Sequence, residues 1–309
     1  MEKIVELKNV TKVIKGRTII DNISFQVNKG EVFGFLGPNG AGKTTTIRMI
    51  VGLMAITSGD IEVGGSSIKT NFEEAVRHIG AIVENPEMYK FLTGYQNLIH
   101  YARMANGISK EKIAEIVELV GLTDRIHDKV KTYSLGMRQR LGLAQCLLHD
   151  PQVLILDEPT NGLDPAGIRE IRDYVRLLAR EKNLAVIVSS HLLSEMEMMC
   201  DRIGIIQNGR LIDVHLVQEL VHGTSETIYE LEVVPADKAL NLIGVHYPNV
   251  RANRSRNGIT IELPKQQIPI LIKQYVAEDI QVFAVKEIAK TLEDRFLELT
   301  TEKGVPSRG

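Results

Sequence analysis

The 309-residue chain has little cysteine and no long apolar run, and each shortage excludes classes of protein. Its two cysteines, Cys146 and Cys200, lie far apart and in no metal-binding or redox spacing, which predicts a reducing compartment. No run approaches the ~18 apolar residues that cross a bilayer, and the first residues lack the apolar core of a signal peptide. We therefore expect a cytoplasmic protein that crosses no membrane by itself.

Charge of one sign is also scarce, since the formal net charge is only -2. Without a basic excess, the composition argues against nucleic acid as the main partner. Hydrophobic residues make up 44% and charged residues 25%, which is ordinary for a globular protein with a substantial core. The length suits two domains of ~150 residues each, without internal repeats.

The pattern of apolar residues predicts an α/β domain first. Residues 1 to about 65 read as short strands around one helical stretch, and about 95 to 150 follow helical periodicity. The runs "QVLILD" and "LAVIVSS" are continuously apolar, as in strands covered on both faces of a sheet. Between them, Asp164 is placed to cap the helix "PAGIREIRDYVRLLAREKN".

A second, smaller unit follows the hairpin turn that "QNGR" predicts. Its segments alternate between strand and helix, from "TIYELEVV" to a closing helix "TLEDRFLELT", which predicts a small α+β domain. We place the first domain at residues 1–217, with its helical part at about 85–150. The second domain is placed at 225–300, and the tail 301–309 is predicted to be disordered.

The strongest motif is "GPNGAGKTT", which stands between a predicted strand and a predicted helix and matches G-x-x-x-x-G-K-[ST]. Its glycines let the backbone wrap closely, so that N–H groups point at phosphate oxygens beside a helix N-terminus. Lys43 is expected to reach the β- and γ-phosphates, and Thr44 to offer its hydroxyl to Mg²⁺. The predicted nucleotide site consists of Gly37, Pro38, Asn39, Gly40, Ala41, Gly42, Lys43, Thr44 and Thr45.

A pair of carboxylates ends the first buried strand, in "VLILDEP". The phosphate loop lies at the same carboxyl edge of a parallel sheet, so Asp157 suits the Mg²⁺ shell, acting through water. Glu158 points elsewhere and can polarise an attacking water as general base. The two acids could instead be solvated edge residues, but the phosphate loop upstream argues against that. Kinases, GTPases and many ATPases all remain compatible with these two motifs.

Three further features narrow the choice among these classes of nucleotide-binding enzyme. Ser134 and Gly136 stand just ahead of a helix and form a second potential anion site. The segment "NGLDP" follows the acidic strand directly, and His191 follows the second buried strand. A histidine at a strand end is usually a plain surface residue, so His191 gains weight only in this combination.

In this order and spacing, the motifs resemble the nucleotide-binding cassette of ATP-binding cassette (ABC) transporters over roughly residues 1–217. The resemblance implies a P-loop NTPase cassette with a RecA-like core, an antiparallel β subdomain and a helical subdomain. It also implies an Mg²⁺-dependent ATPase with Glu158 as the catalytic glutamate, His191 contacting the γ-phosphate and Lys43 on the phosphates.

The family resemblance implies partners as well. Two cassettes dimerise head to tail, so that Ser134 and Gly136 of one chain close over ATP held by the other chain's phosphate loop. Asn161 to Asp164 resemble the loop that joins the two active sites, which makes Asp164 a candidate at the nucleotide. A single chain with one phosphate loop and one signature predicts a homodimer, bound to separate integral membrane permease subunits at the inner face of the membrane.

Three positions depart from the family pattern. Leu135 replaces the first glycine of the signature Leu-Ser-Gly-Gly-Gln. Ile14 stands where the family usually stacks an aromatic ring on adenine, which predicts an apolar contact instead. Glu84 stands where the family has a glutamine that touches Mg²⁺ and the attacking water, and a carboxylate is the stronger ligand for this cation. The alternative for Glu84 is a solvated strand end.

Glu84, the segment "LTGYQNL" and an ending like "LEDRFLEL" resemble the ATPase subunits of bacterial exporters that confer resistance to bacitracin and lantibiotics. The resemblance implies export of a peptide antibiotic or a similar amphiphile. Tyr89, Phe91, Leu92 and Tyr95 are candidate contacts to the permease, or else they pack inside the helical subdomain.

Other functions stay open from the sequence. The ATPase of an ABC importer would use the second domain as a regulatory ligand sensor, whereas a purely structural second domain would stabilise the dimer. A soluble, non-transport cassette ATPase of DNA repair or translation typically carries a long coiled-coil insertion or two cassettes, and this sequence shows neither.

Overall fold

The computed structural model describes residues 2–105, 107–222, 227–248 and 250–288. The chain separates into two compact units between Leu216 and Val217. The predicted domain limits stay a prediction, since residues 223–226 lie outside the described residues. The predicted closing helix and the predicted disordered tail also lie outside them.

The first unit is built on a six-stranded sheet in the order β10-β9-β3-β8-β7-β6. Its strands are β3 (Val32–Leu36), β6 (Ile79–Ile82), β7 (Val153–Asp157), β8 (Ala185–Ser190), β9 (Arg202–Gln207) and β10 (Arg210–Leu216). All pairs are parallel except β9 with β10, which are joined by the predicted Asn-Gly hairpin. Strands β3, β7 and β8 are buried along their whole length, as their continuous apolar runs predict.

An antiparallel sheet packs against this central sheet. Its order is β2-β1-β4-β5, with β1 (Lys3–Ile14), β2 (Arg17–Asn28), β4 (Ser58–Val63) and β5 (Ser66–Ser67). Phe25 of β2 stacks on Phe33 of β3, with ring centroids 5.0 Å apart, so the two sheets share one hydrophobic core. Ile47 and Met49 of α1 (Lys43–Ile50) are buried in the same core, which fixes the helix that follows the phosphate loop.

Helices complete the first unit: α2 (Phe72–Arg77), α3 (Gly94–Ala102), α4 (Lys110–Leu119), α5 (Leu135–Leu147), α6 (Pro165–Lys182) and α7 (Leu193–Met199). The apolar face predicted for α4 is buried at Ile113, Ile116 and Val117. The predicted cap of α6 is confirmed, because an Asp164 carboxylate oxygen accepts the Gly167 N–H at 2.9 Å. These observations confirm the predicted α/β fold of the first unit.

The second unit, considered by itself, contains a four-stranded antiparallel sheet in the order β12-β13-β11-β14. Its elements are α8 (Val217–His222), β11 (Thr227–Val234), α9 (Ala236–His246), β12 (Ala252–Ser255), β13 (Gly258–Leu263), α10 (Ile268–Ala277) and β14 (Gln281–Ile288). The core between sheet and helices includes Leu231, Ile261, Ile243 and Leu271. Strand β12 was not predicted, because "ANRS" shows no apolar alternation; it lies at the sheet edge, where only one neighbour fixes it.

Among the residues that the structure describes, no helix combines the length and the apolar character that crossing a bilayer requires.

Candidate active site

The phosphate loop connects β3 to α1 and is packed too tightly for side chains at two of its glycines. A Cβ atom on Gly37 would lie 2.3 Å from the carbonyl oxygen of Ile206, and one on Gly42 would lie 2.4 Å from Cδ1 of Ile20. Gly42 also has a φ of 113°, which glycine alone adopts readily. The loop is therefore set by β9 on one side and β2 on the other.

The hairpin between β9 and β10 holds this loop from behind. The Gly209 N–H donates to the Ala41 carbonyl at 2.9 Å, and the Gly209 carbonyl accepts the Asp21 N–H at 2.8 Å. One residue of the hairpin thus joins the phosphate loop to the antiparallel sheet.

A cavity of about 310 Å³ opens in front of the loop and is of the size usual for small-molecule sites. Its lining consists of Ile19, Asn39, Gly40, Gly42, Lys43, Thr44, Thr45, Glu158, Asn161 and His191. The fold thus brings together the phosphate loop, the end of β7 and the residue after β8, which lie far apart in the sequence. This convergence is the central property of the site.

Lys43 is buried at the floor of the cavity and already has oxygen acceptors there. Its Nζ donates to the Gly37 carbonyl at 2.8 Å and lies 3.6 Å from Oε1 of Glu158. The neighbouring N–H groups at the start of α1 add the positive end of the helix dipole. A phosphate entering the cavity would compete with these acceptors for the same ammonium group, because charge-assisted hydrogen bonds are the stronger ones.

Glu158 and His191 meet across the cavity. The Nδ1 of His191 lies 2.8 Å from Oε2 of Glu158, so the two residues form one hydrogen-bonded unit. Glu158 has a φ of 51°, in the left-handed region that non-glycine residues seldom adopt, and its N–H donates to the Ser189 carbonyl at 3.1 Å. The backbone of β8 therefore fixes the position of the Glu158 backbone, from which the carboxylate extends.

Asp157 lies deeper than Glu158 and is buried, with its Oδ1 accepting a hydrogen bond from the Ser189 hydroxyl. It does not line the cavity, whereas Thr44 does. No group of three or more histidine, cysteine or acidic residues in the described part of the chain could cage a metal ion. One hydroxyl and one carboxylate nevertheless fit Mg²⁺, which is usually held by few protein oxygens together with waters and substrate phosphates.

The signature segment lies at the start of α5. The Ser134 hydroxyl caps this helix by accepting the Met137 N–H at 3.2 Å, and Ser134 itself is exposed. The Tyr133 hydroxyl donates to the Arg125 carbonyl at 2.7 Å, and burial raises the pKa of this hydroxyl further above neutral pH. Ser134 and Gly136 do not line the cavity of their own chain.

Leu135, where the family has glycine, packs over the loop after β7. A Cβ on Gly162 would lie 3.3 Å from Cδ2 of Leu135. The leucine side chain therefore packs over a glycine, which has no side chain of its own. The departure from the family pattern at Leu135 is therefore accommodated within the same chain.

The remaining predicted residues lie around the cavity rather than in it. Asp164 caps α6, and this structural role explains why a carboxylate stands at the position without any contact to a nucleotide. Ile14 lies at the β1–β2 turn, exposed, and the cavity takes its apolar wall from Ile19 of β2 instead. Sequence reasoning missed Ile19, because only the burial of Ile20 in the folded strand shows that its neighbour points to the opposite face.

Glu84 is exposed, has a φ of 68° and forms an ion pair with Arg48 on α1. It does not line the cavity, so its predicted role at Mg²⁺ stays a prediction. Ser189, which sequence reasoning also missed, contacts both acids at the end of β7. No motif marks a serine at this position; only the pairing of β7 with β8 reveals it.

Comparison with known proteins agrees with this geometry. A family model described as "ABC transporter" matches residues 20–161. The chain is 61% identical over 302 residues to the uncharacterized ABC transporter ATP-binding protein YhcH of Bacillus subtilis (strain 168), covering 98% of this chain and 97% of the relative. It is 39% identical over 300 residues to the bacitracin transport ATP-binding protein BcrA of Bacillus licheniformis, covering 97% and 98%.

Among solved structures, one described as the ATP binding subunit of an ABC transporter has a TM-score of 0.63 and 28% identity, covering 70% of this chain and 91% of that one. The similarity therefore extends from the sequence to the fold that forms the cavity.

Proposed function

From the premise that this chain belongs to the ATP-binding proteins of ABC transporters, we propose how its own residues bind and hydrolyse ATP and what the hydrolysis drives. The chain is an ATPase that binds adenine nucleotide and is coupled to transport, and cassettes of this family work as dimers with membrane permease partners. The proposal concerns the site residues, the metal ion, the dimer arrangement and the substrate.

The observation that carries the proposal is the convergence of Lys43, Glu158 and His191 on one cavity in front of the phosphate loop. The loop N–H groups and Lys43 bind the phosphates, and Ile19, with Ile14 beyond it, offers the adenine an apolar contact in place of aromatic stacking. Mg²⁺ bound by Thr44 and Asp157 would neutralise charge that develops on the phosphate oxygens.

Glu158 acts as the general base and His191 as its orienting partner. The carboxylate faces the cavity within 3.6 Å of the Lys43 ammonium and 2.8 Å of His191, so it can accept a proton from a water placed against the γ-phosphate. The contact with Nδ1 leaves the Nε2 edge of His191 to contact that phosphate.

The dimer is head to tail. Ser134 and Gly136 are exposed or half-exposed at the start of α5 and contribute nothing to their own chain's cavity, so their helix N-terminus is available to a nucleotide held by a second copy. Asp164 caps α6 at the end of the loop that would join the two sites.

The transported substrate is a peptide antibiotic or similar amphiphile, exported through a separate permease while this subunit stays at the cytoplasmic face. Similarity over nearly the whole chain to the bacitracin transport protein BcrA supports this choice of substrate class. Tyr89 and Phe91 support the docking site, because both are exposed and lie edge to face with ring centroids 5.8 Å apart. Leu92 and Tyr95, the other two candidate contacts, are half-buried.

The experiment that tests the hydrolytic site is Glu158→Gln. Without the base, turnover should fall by at least ~100-fold while ATP binding persists, and light scattering should detect an ATP-dependent dimer. Adding Ser134→Arg should abolish that dimer but leave ATP bound. Glu181→Gln, at an exposed glutamate on α6, is the matched control and should behave as wild type. Brisk hydrolysis by Glu158→Gln would remove Glu158 as the base.

A further inference from the structure

Ser189 occupies a position on β8 from which one hydroxyl reaches two catalytic acids. It is fully buried, and its Cα partner across the parallel pair β7–β8 is Asp157. Asp157 is the last residue of β7, so Glu158 begins the loop directly beside Ser189.

The two hydrogen bonds of this hydroxyl go to consecutive residues. Its hydrogen is donated to Oδ1 of Asp157, and its oxygen accepts the N–H of Glu158 at 3.1 Å. A serine hydroxyl has one hydrogen to donate, and here Asp157 receives it. This bond holds the Asp157 carboxylate at Oδ1 and leaves its other lone pairs free to accept a cation.

The bond to Glu158 acts on a strained backbone. The left-handed region is sterically unfavourable for a non-glycine residue, so surrounding contacts have to maintain it. The Glu158 N–H is shared between the Ser189 carbonyl and the Ser189 hydroxyl, both at 3.1 Å. The Glu158 carbonyl in turn accepts the Asn161 N–H at 3.1 Å. Ser189 therefore supplies both acceptors for the Glu158 N–H in the backbone conformation that aims the carboxylate at His191.

We propose that Ser189 is a positioning residue that couples the metal-binding carboxylate to the general base, setting the Asp157 rotamer and the Glu158 backbone at once. The inference rests on the proposed roles of Asp157 and Glu158. Residues that orient metal ligands from behind typically change metal affinity or activity by 10–100-fold when they are replaced, which is about the effect we expect here.

The next residue on the strand offers a matched control. Ser190 is equally buried, but its hydroxyl accepts the Leu192 N–H at 3.0 Å. Ser189→Ala and Ser190→Ala thus remove the same group from adjacent buried positions, and only the first loses contacts to the two acids.

The experiment titrates Mg²⁺ into the full chain with a fluorescent ATP analogue, starting from EDTA, and measures kcat and KM on the same samples. Ser189→Ala should bind nucleotide in EDTA as wild type does, need about 10-fold more Mg²⁺, and lose at least about 10-fold in kcat with little change in KM. Ser190→Ala should keep the wild-type titration, and Ser189→Thr, which retains the hydroxyl, should recover most of the loss.

A wild-type Mg²⁺ titration and kcat in Ser189→Ala would overturn the proposal, since the residue would then only fill space. If Ser189→Ala does not fold, Ser189→Cys decides, because a thiol has similar size but is a weak donor, and wild-type behaviour there overturns the proposal equally. Failure of the proposed function gives a different result: Glu158→Gln would then hydrolyse ATP.

Discussion

Glu84 has one observed contact and one predicted role, and the two exclude each other. Its carboxylate pairs with the Arg48 guanidinium, which belongs to the helix that begins at the phosphate loop. The predicted role at Mg²⁺ requires the same carboxylate to leave Arg48 and turn towards the cavity. In that role, the ion pair would compete with the metal for one side chain, and Arg48 would set how readily Glu84 is released.

Arg48→Ala should make the ATPase need less Mg²⁺, because it frees the Glu84 carboxylate. We expect the half-saturating Mg²⁺ concentration to fall about 2- to 5-fold, in keeping with the modest strength of an exposed ion pair. Mg²⁺ titration of ATPase activity measures this, and Glu84→Gln in the same background should cancel the gain. Arg77→Ala, which breaks an exposed pair with Glu74, is the control. If Arg48→Ala leaves the titration unchanged, the pair is only a surface contact.

Prediction from the sequence is most informative where a functional segment is continuous in the chain. The loop from Gly37 to Thr45 and the acid pair at the end of β7 are each continuous, so a local pattern marks them, and the parallel sheet brings both to its carboxyl edge. Ile19 and Ser189 were missed because their roles depend on which strands pair, and in which register. No local pattern records that information.

At the scale of elements, a buried contact joins the turn after β7 to α7. The Thr160 hydroxyl donates to the Glu195 carboxylate, and both residues are almost fully buried. Thr160 precedes the loop that carries Asn161, and Glu195 lies on the helix that follows His191. The contact thus fixes the two segments that border the cavity relative to each other.

Thr160→Val should destabilise the protein by about 1–3 kcal/mol, because it leaves a buried carboxylate without its donor. Urea unfolding followed by circular dichroism measures the free energy of unfolding. Thr132→Val removes an exposed hydroxyl that donates to the Lys129 carbonyl at 2.8 Å, and it should cost less than about 1 kcal/mol. Equal losses in the two variants would show that burial of the Thr160–Glu195 contact contributes nothing.

Element prediction was most accurate where capping and apolar periodicity coincide. Helix α6 begins after Asp164 as predicted, because capping residue, proline and apolar face all agree there. Ile168, in the first turn of this helix, is only half-buried because it lies at the end of the packed face. Strand β12 gives no apolar signal in the sequence, because its polar residues lie at a sheet edge, where backbone pairing with β13 and an ion pair from Arg254 to Asp237 hold it.

For the whole molecule, the proposed head-to-tail dimer would supply what one chain lacks at the cavity. The cavity is lined by the phosphate loop, the proposed base and the histidine, while the signature serine caps α5 and does not line it. In this proposal turnover requires both chains, and the membrane subunits of the exporter supply the substrate path.

Expression of this chain together with its permease should raise the inhibitory concentration of a bacitracin-class peptide for a sensitive host by several fold. Glu158→Gln in the same pair should remove the protection, and Glu181→Gln should keep it. Growth inhibition across a dilution series measures the effect. If the active pair does not protect against bacitracin, lantibiotics or related amphiphilic peptides, export of this class is wrong even though the ATPase assignment stands.

The hairpin between β9 and β10 also affects the chemical stability of the protein. An asparagine followed by glycine is prone to deamidation, which begins when the glycine nitrogen attacks the asparagine side chain. In the pair Asn208-Gly209, that nitrogen donates its hydrogen to the Ala41 carbonyl, and a φ of 50° and 77° fixes the two residues in the turn. The contact that supports the nucleotide loop therefore also protects a chemically labile bond, so damage at this position should accumulate in chains that have lost their fold.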